Sequence, residues 1–133
     1  MAPGTYTILL ALDQPTTITF GAAGERDLDA GYYAYTGSAF GPGGLSRVER
    51  HRRVHEGAND TRHWHVDYLL GADAVAWEGA WKTPNADREC AIAGSLAGAP
   101  IPGIGATDCG CSSHLRYSSR RHPLVRSIEA AHR

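Results

Sequence analysis

Hydrophobic and polar positions alternate from the start of the chain. Tyr6, Ile8 and Leu10 take one side and Thr5, Thr7 and Leu9 the other, the period of two that marks a strand. Asp13-Gln14-Pro15 turns the chain, and Thr16 to Phe20 forms a second β-rich run. Gly21 to Ala30 is glycine-rich and charged and reads as a loop. Alternation resumes over Gly31 to Ala39, with Tyr33, Tyr35 and Gly37 on one side. The simplest assembly of the three runs is a three-stranded antiparallel sheet.

The period lengthens after Phe40-Gly41-Pro42-Gly43-Gly44. Ser46 and Glu49 have the spacing of a capping box and Gly57 supplies a stop, which predicts a helix over 46–56 with Arg47 and His51 on one face. Trp64 to Leu70 reads as a second short helix and Ala74 to Trp81 as a further strand. Asn85 is placed to cap a helix running from Ala86 to about Ala97, with an apolar stripe of Ile92, Ala93 and Leu96. Glu89 falls on that stripe, where a carboxylate needs a cation or hydrogen bonds to compensate it. Gly98 to Gly110 reads as a loop, and the stretch from Ser112 onward as a basic tail with an apolar patch at Leu124 and Val125. The expectation is one α+β domain over 1–133: a small three-stranded antiparallel sheet flanked by helices, with a basic C-terminal extension.

Composition narrows the class. A chain of 133 residues that is 42% hydrophobic and 20% charged suits one globular core, and sixteen glycines without a period exclude a fibrous chain. No apolar run approaches the roughly 20 residues that span a bilayer, and no basic region precedes the first strand, so no membrane partner and a cytoplasmic location are expected. Three cysteines cannot all pair within one chain, and Cys109 and Cys111 lie too close for an ordinary mutual disulfide, which predicts reduced thiols or a metal site. A net charge of −1 draws no nucleic acid by itself, but twelve of the thirteen cations are arginines. They cluster as Arg47, Arg50, Arg52, Arg53 and Arg62, then as Arg116, Arg120, Arg121, Arg126 and Arg133. Arginine's planar fork matches phosphate oxygens, so the clusters can form a phosphate-tracking surface. On charge alone, a solvated face explains them as well.

The ordered motifs say more. Gly4-Thr5-Tyr6 is followed by Gly31-Tyr-Tyr-Ala-Tyr-Thr-Gly-Ser-Ala39, by Gly41-Pro-Gly-Gly-Leu45, and by the helix bearing Arg47 and His51. Trp64-His-Val-Asp-Tyr-Leu-Leu70, Glu89-Cys90 and Asp108-Cys-Gly-Cys-Ser-Ser-His-Leu115 complete the series. Over nearly the whole chain this run resembles the Uri-type branch of the GIY-YIG nuclease superfamily, with the middle residue of each signature triplet changed. The resemblance implies catalytic roles for Tyr6, Tyr35, Gly37, Arg47, His51 and Glu89. Tyr6 would act near the attacking water, and Glu89 would be the single carboxylate holding Mg2+ or Mn2+. The superfamily also has a late asparagine; none follows Asn85 here, and Ser113 or His114 takes its place by position.

Independent chemistry supports that cast. Phosphodiester cleavage needs an aligned nucleophile, neutralised phosphate charge and a stabilised leaving oxygen. Tyrosine or histidine meets the first need, arginine the second, and a carboxylate-held cation the second and third. Arg50, Arg53, His65 and His114 are the expected substrate contacts. The reading is a metal-dependent endonuclease acting on nucleic acid, DNA in preference to RNA. The alternatives are a nucleic-acid-binding module without cleavage, and an interaction domain built around a structural Zn2+ on Cys109, Cys111, His114 and Cys90. His51-Arg-Arg-Val-His55 lacks the glutamate of a zinc protease, and Gly41-Pro-Gly-Gly44 lacks the lysine of a P-loop.

Overall fold

The computed structural model describes residues 2–21, 24–57, 65–101, 104 and 113–133. Its elements run β1 (Gly4–Leu12), β2 (Thr16–Thr19), β3 (Glu25–Leu28), β4 (Gly31–Ala39), a 3-10 turn (Gly44–Ser46), α1 (Arg47–His55), α2 (His65–Leu70), β5 (Val75–Pro84), α3 (Glu89–Ser95), β6 (Ala99–Pro100), β7 (Leu115–Ser118) and α4 (Arg121–Ala131). The architecture is α+β.

The main sheet has five strands in the order β5-β1-β4-β7-β6, all antiparallel, where the sequence suggested three. The second β-rich run, β2, does not join it. It pairs with β3, inside the stretch expected to be a loop, as a separate two-stranded sheet.

Strand β1 lies between β4 and β5, and apolar side chains on both of its faces are buried because helices pack on each side of the sheet. Tyr6, Ile8 and Leu10 join Tyr33, Tyr35, Val48 and Val54 of α1, and Val66, Leu69 and Leu70 of α2 in one core. Leu9 and Ala34 join Ile92, Leu96, Leu124 and Ile128 in a second core on the opposite face. Full burial of one such aliphatic side chain stabilises the fold by about 1.5–3 kcal/mol.

The C-terminal stretch is therefore no basic extension. β7 pairs along β4, and α4 fills the second core through Leu124 and Ile128. A polar clasp secures it: His132 Nε2 lies 2.7 Å from the Thr7 hydroxyl and Nδ1 lies 2.8 Å from that of Thr83. Thr7 also bonds Thr36 at 3.0 Å, which satisfies two fully buried hydroxyls. The second arginine cluster is partly spent on structure, since Arg116 donates to the carbonyls of Gly98 and Ala93 and Arg121 pairs with Glu78.

Two expected caps differ. Ser46 makes no side-chain cap to α1 and instead donates to the Gly43 carbonyl at 2.7 Å, because the 3-10 turn already leads the chain into the helix. Asn85 sits at φ 61 with its N–H bonded to the Pro3 carbonyl, and α3 starts later, with Arg88 at its N-cap. Gly57 does close α1, at φ +81, a backbone conformation natural to glycine. No helix among the described residues is long and apolar enough to cross a membrane.

Candidate active site

Register builds the site before chemistry enters. Tyr6 of β1 stands opposite Gly37 of β4, and a β-carbon added at Gly37 would lie 2.5 Å from the Tyr6 hydroxyl and 2.6 Å from its ring. What fills the space at Gly37 is the phenol of Tyr6. Gly37→Ala is therefore expected to destabilise the fold by about 1–3 kcal/mol through overpacking, read as a lowered urea midpoint. A midpoint equal to wild type would show that Tyr6 can move aside.

A chain of polar groups leads inward from that phenol. The Tyr6 hydroxyl is 2.7 Å from Nε2 of His51, and Nδ1 of His51 is 3.6 Å from Oδ1 of Asp67, an ion-pair separation longer than a hydrogen bond. His51 and Asp67 are fully buried, and Nη1 of Arg50 lies 3.3 Å from the same Asp67 Oδ1. Burial lowers the His51 pKa, Asp67 opposing this and Arg50 and Arg47 adding to it. The imidazole is thus neutral at neutral pH. In the tautomer that turns the Nδ1 proton toward Asp67, the Nε2 lone pair is the acceptor of a hydrogen bond from the Tyr6 hydroxyl.

Burial also raises the Tyr6 pKa well above its usual value, Tyr35 and Glu89 adding to this and Arg47 opposing it. The phenol keeps its proton. Tyr35 is also raised, first by burial and then by Glu89 and Asp67; its ring centroid is 6.4 Å from that of Tyr6 and 6.3 Å from that of His51. It walls the site. Arg47 hydrogen-bonds Tyr6 and donates from Nη1 to the Ser38 carbonyl.

Glu89 opens α3 and its side chain is 21% exposed, so solvent still reaches it. Burial raises its pKa, while the Ser38 N–H and hydroxyl, which both donate to it, pull the other way, as does Arg47. His114, just before β7, brings Nε2 to 3.6 Å from Glu89 Oε1 and is itself 3% exposed. Burial lowers its pKa. Among the described residues no three or more His, Cys, Asp or Glu side chains converge as ligands; the pair that meets at this point is a carboxylate and an imidazole. That set suits a divalent cation whose other positions are taken by water and phosphate.

Beside Arg47 lies an open cavity of about 250 Å³ lined by Pro42, Ser46, Arg47, Arg50 and Arg53. Arg47, Arg50 and Arg53 recur every third residue along α1 and so share a side of it.

Tyr6, Tyr35, Gly37, Arg47, His51 and Glu89 are thus brought together, with Arg50, Arg53 and His114 next to them. His65 begins α2, but its side chain, like Arg62, Trp64, Asp108, Cys109 and Cys111, lies outside the described residues. Cys90 is disulfide-bonded, against the expectation of reduced thiols, and a disulfide sulfur cannot serve as the fourth thiolate of a zinc site. Sequence reasoning missed Asp67 and Ser38. The signal for Asp67 was an acid inside the apolar run Val66–Leu70; Ser38 acts partly through its backbone and left none.

These features define an α+β domain with a buried phenol–imidazole–carboxylate relay, an arginine-lined cavity and a half-buried glutamate near the end of the sheet where β1 begins and β4 finishes. The chain belongs to the family described as Domain of unknown function DUF123, whose model matches residues 5–133. No curated protein matches it, and no solved structure does.

Proposed function

We propose that this protein is a metal-dependent endonuclease of the GIY-YIG type that hydrolyses phosphodiester bonds, in DNA by preference. The observation that carries the reading is the convergence of Tyr6 from β1, Arg47 and His51 from α1 and Glu89 from α3, the residues the motif order singled out.

Each residue has a task. A water beside Tyr6 gives a proton to the phenol oxygen as the phenol passes its own to His51 Nε2, and Asp67 stabilises the imidazolium that results. The water oxygen forms the new bond to phosphorus while the bond to the leaving sugar oxygen breaks, and solvent protonates that oxygen. Arg47 offers its guanidinium to the phosphate oxygens, and Arg50 and Arg53 bind a neighbouring backbone phosphate in the cavity they line. Glu89 would hold the cation, Mg2+ or Mn2+, which when bound supplies positive charge to the phosphate and leaving oxygens.

Protonation states set the pH profile. His51 works as the neutral base, and burial keeps it neutral below its usual 6.5. Glu89 must be ionised, and its raised value adds a second loss on acidification. Single-turnover rates are expected to rise through the acid range and stay level across neutrality. No alkaline fall arises from Tyr6, whose hydroxyl keeps its proton past its usual 10.0. A rate still climbing steeply above pH 8 would exclude His51 as the base.

A second reading, a nucleic-acid binder without cleavage, is favoured by one observation: Tyr6 is only 1% exposed. Labelled single-stranded, duplex and branched DNA, incubated with the protein in Mn2+, Mg2+ or EDTA, separates the two. Cleavage with either cation and none in EDTA is expected. Salt-sensitive binding without cleavage in any condition would establish the binder.

A further inference from the structure

We propose that His114 is a second protein ligand of the divalent cation held by Glu89, so that a carboxylate oxygen and an imidazole nitrogen grip the ion together. The inference rests on the nuclease reading and refines which cation that site selects.

Three observations support it. Nε2 of His114 and Oε1 of Glu89 stand 3.6 Å apart, too far for a good hydrogen bond. Two donors bound to one ion through bonds of about 2.1 Å are separated by about 3.0–3.5 Å, so a small closure brings both onto the same ion. Second, the Ser38 N–H and hydroxyl, which donate to Glu89, orient the carboxylate and cannot themselves replace a ligand while they donate. Third, His114 is anchored by its own backbone, its N–H bonding the Ile104 carbonyl at 2.9 Å and its carbonyl accepting from Thr36 N–H at 3.0 Å. The imidazole is therefore delivered to Glu89 by the sheet, not by a free loop end.

The chemical consequence is selectivity. A site of oxygens alone accepts Mg2+, whereas an imidazole nitrogen favours a transition cation such as Mn2+, which binds nitrogen more strongly and tolerates mixed donors. The site is assigned to a first-row transition ion such as Mn2+ in preference to Mg2+.

Electron paramagnetic resonance of the full chain, freed of any histidine tag and titrated with Mn2+ alone, tests this. The wild-type pulsed spectrum is expected to carry nitrogen modulation from one imidazole, a result that needs no variant to fold. His114→Gln should abolish the modulation and weaken Mn2+ at least about tenfold, while weakening Mg2+, read by competition, less. Glu89→Gln should lose the ion. Bound Mn2+ that depends on Glu89 but shows no nitrogen modulation, or modulation that survives His114→Gln, overturns the assignment and leaves the carboxylate's role in the nuclease intact. Absence of bound Mn2+ in the wild type also overturns it; DNA cleavage in the same buffer then decides the nuclease reading separately.

Discussion

Tyr6→Phe is expected to slow DNA cleavage by about a hundred- to ten-thousandfold, the range that a positioned proton-transfer group supplies. The substitution is clean because phenylalanine keeps the ring under Gly37 and against Tyr35, and only the hydroxyl 2.7 Å from His51 Nε2 is removed. Proton transfer from water to His51 then has no intermediate carrier. His51 Nε2 also loses a buried hydrogen bond, which costs about 1–3 kcal/mol and should appear as a modest fall in melting temperature. Rate and stability separate the causes. Cleavage unchanged in a chain that melts lower would remove Tyr6 from the chemistry and leave it a packing residue.

Asp67→Asn is expected to cost up to about ten-thousandfold in rate, as when a base histidine loses the carboxylate that fixes its tautomer. Asp67 is fully buried and faces both His51 and Arg50, so shape is conserved while the negative charge goes. The new amide can donate to His51 Nδ1, which moves the imidazole proton to Nε2 and points a donor at the Tyr6 hydroxyl. Asp67 touches no substrate in this scheme; it is a positioning residue. The distinguishing readout is therefore the pH profile. Without the carboxylate, the imidazolium is less stable, so the His51 pKa falls further and the remaining activity should start its acid decline at lower pH than in wild type. A variant with the wild-type profile and rate would show that Asp67 serves only Arg50.

Much of the site was legible because its residues depend on order along the chain. The triplets around Tyr6 and Tyr35, the helix starting at Arg47 and the acid on an apolar stripe at Glu89 can be found without coordinates, and the structure puts them side by side. Asp67 was hidden because its partners, His51 and Arg50, lie on another helix and only packing of α1 against α2 joins them. The fold was read less completely. The strand at β5 was visible in its alternation, but nothing local reveals that it pairs with β1, since antiparallel partners are chosen by tertiary contact. β7 was obscured by charge: Leu115-Arg116-Tyr117-Ser118 alternates, yet its surroundings read as a basic tail. β3 was lost because Glu25 and Asp27 face solvent and only Leu28 is buried, so a four-residue strand looks like a polar loop.

The late position of β7 bears on how the protein is made. As translation proceeds, β1, β4 and β5 emerge with Tyr6, His51 and Glu89, but β4 keeps an unpaired edge until residues 115–118 leave the ribosome. An open strand edge invites pairing with other chains, so the interval before β7 pairs with β4 is when this protein is most prone to aggregate. The clasp of His132 onto Thr7 and Thr83 comes later still and fastens the end of α4 to β1 and β5.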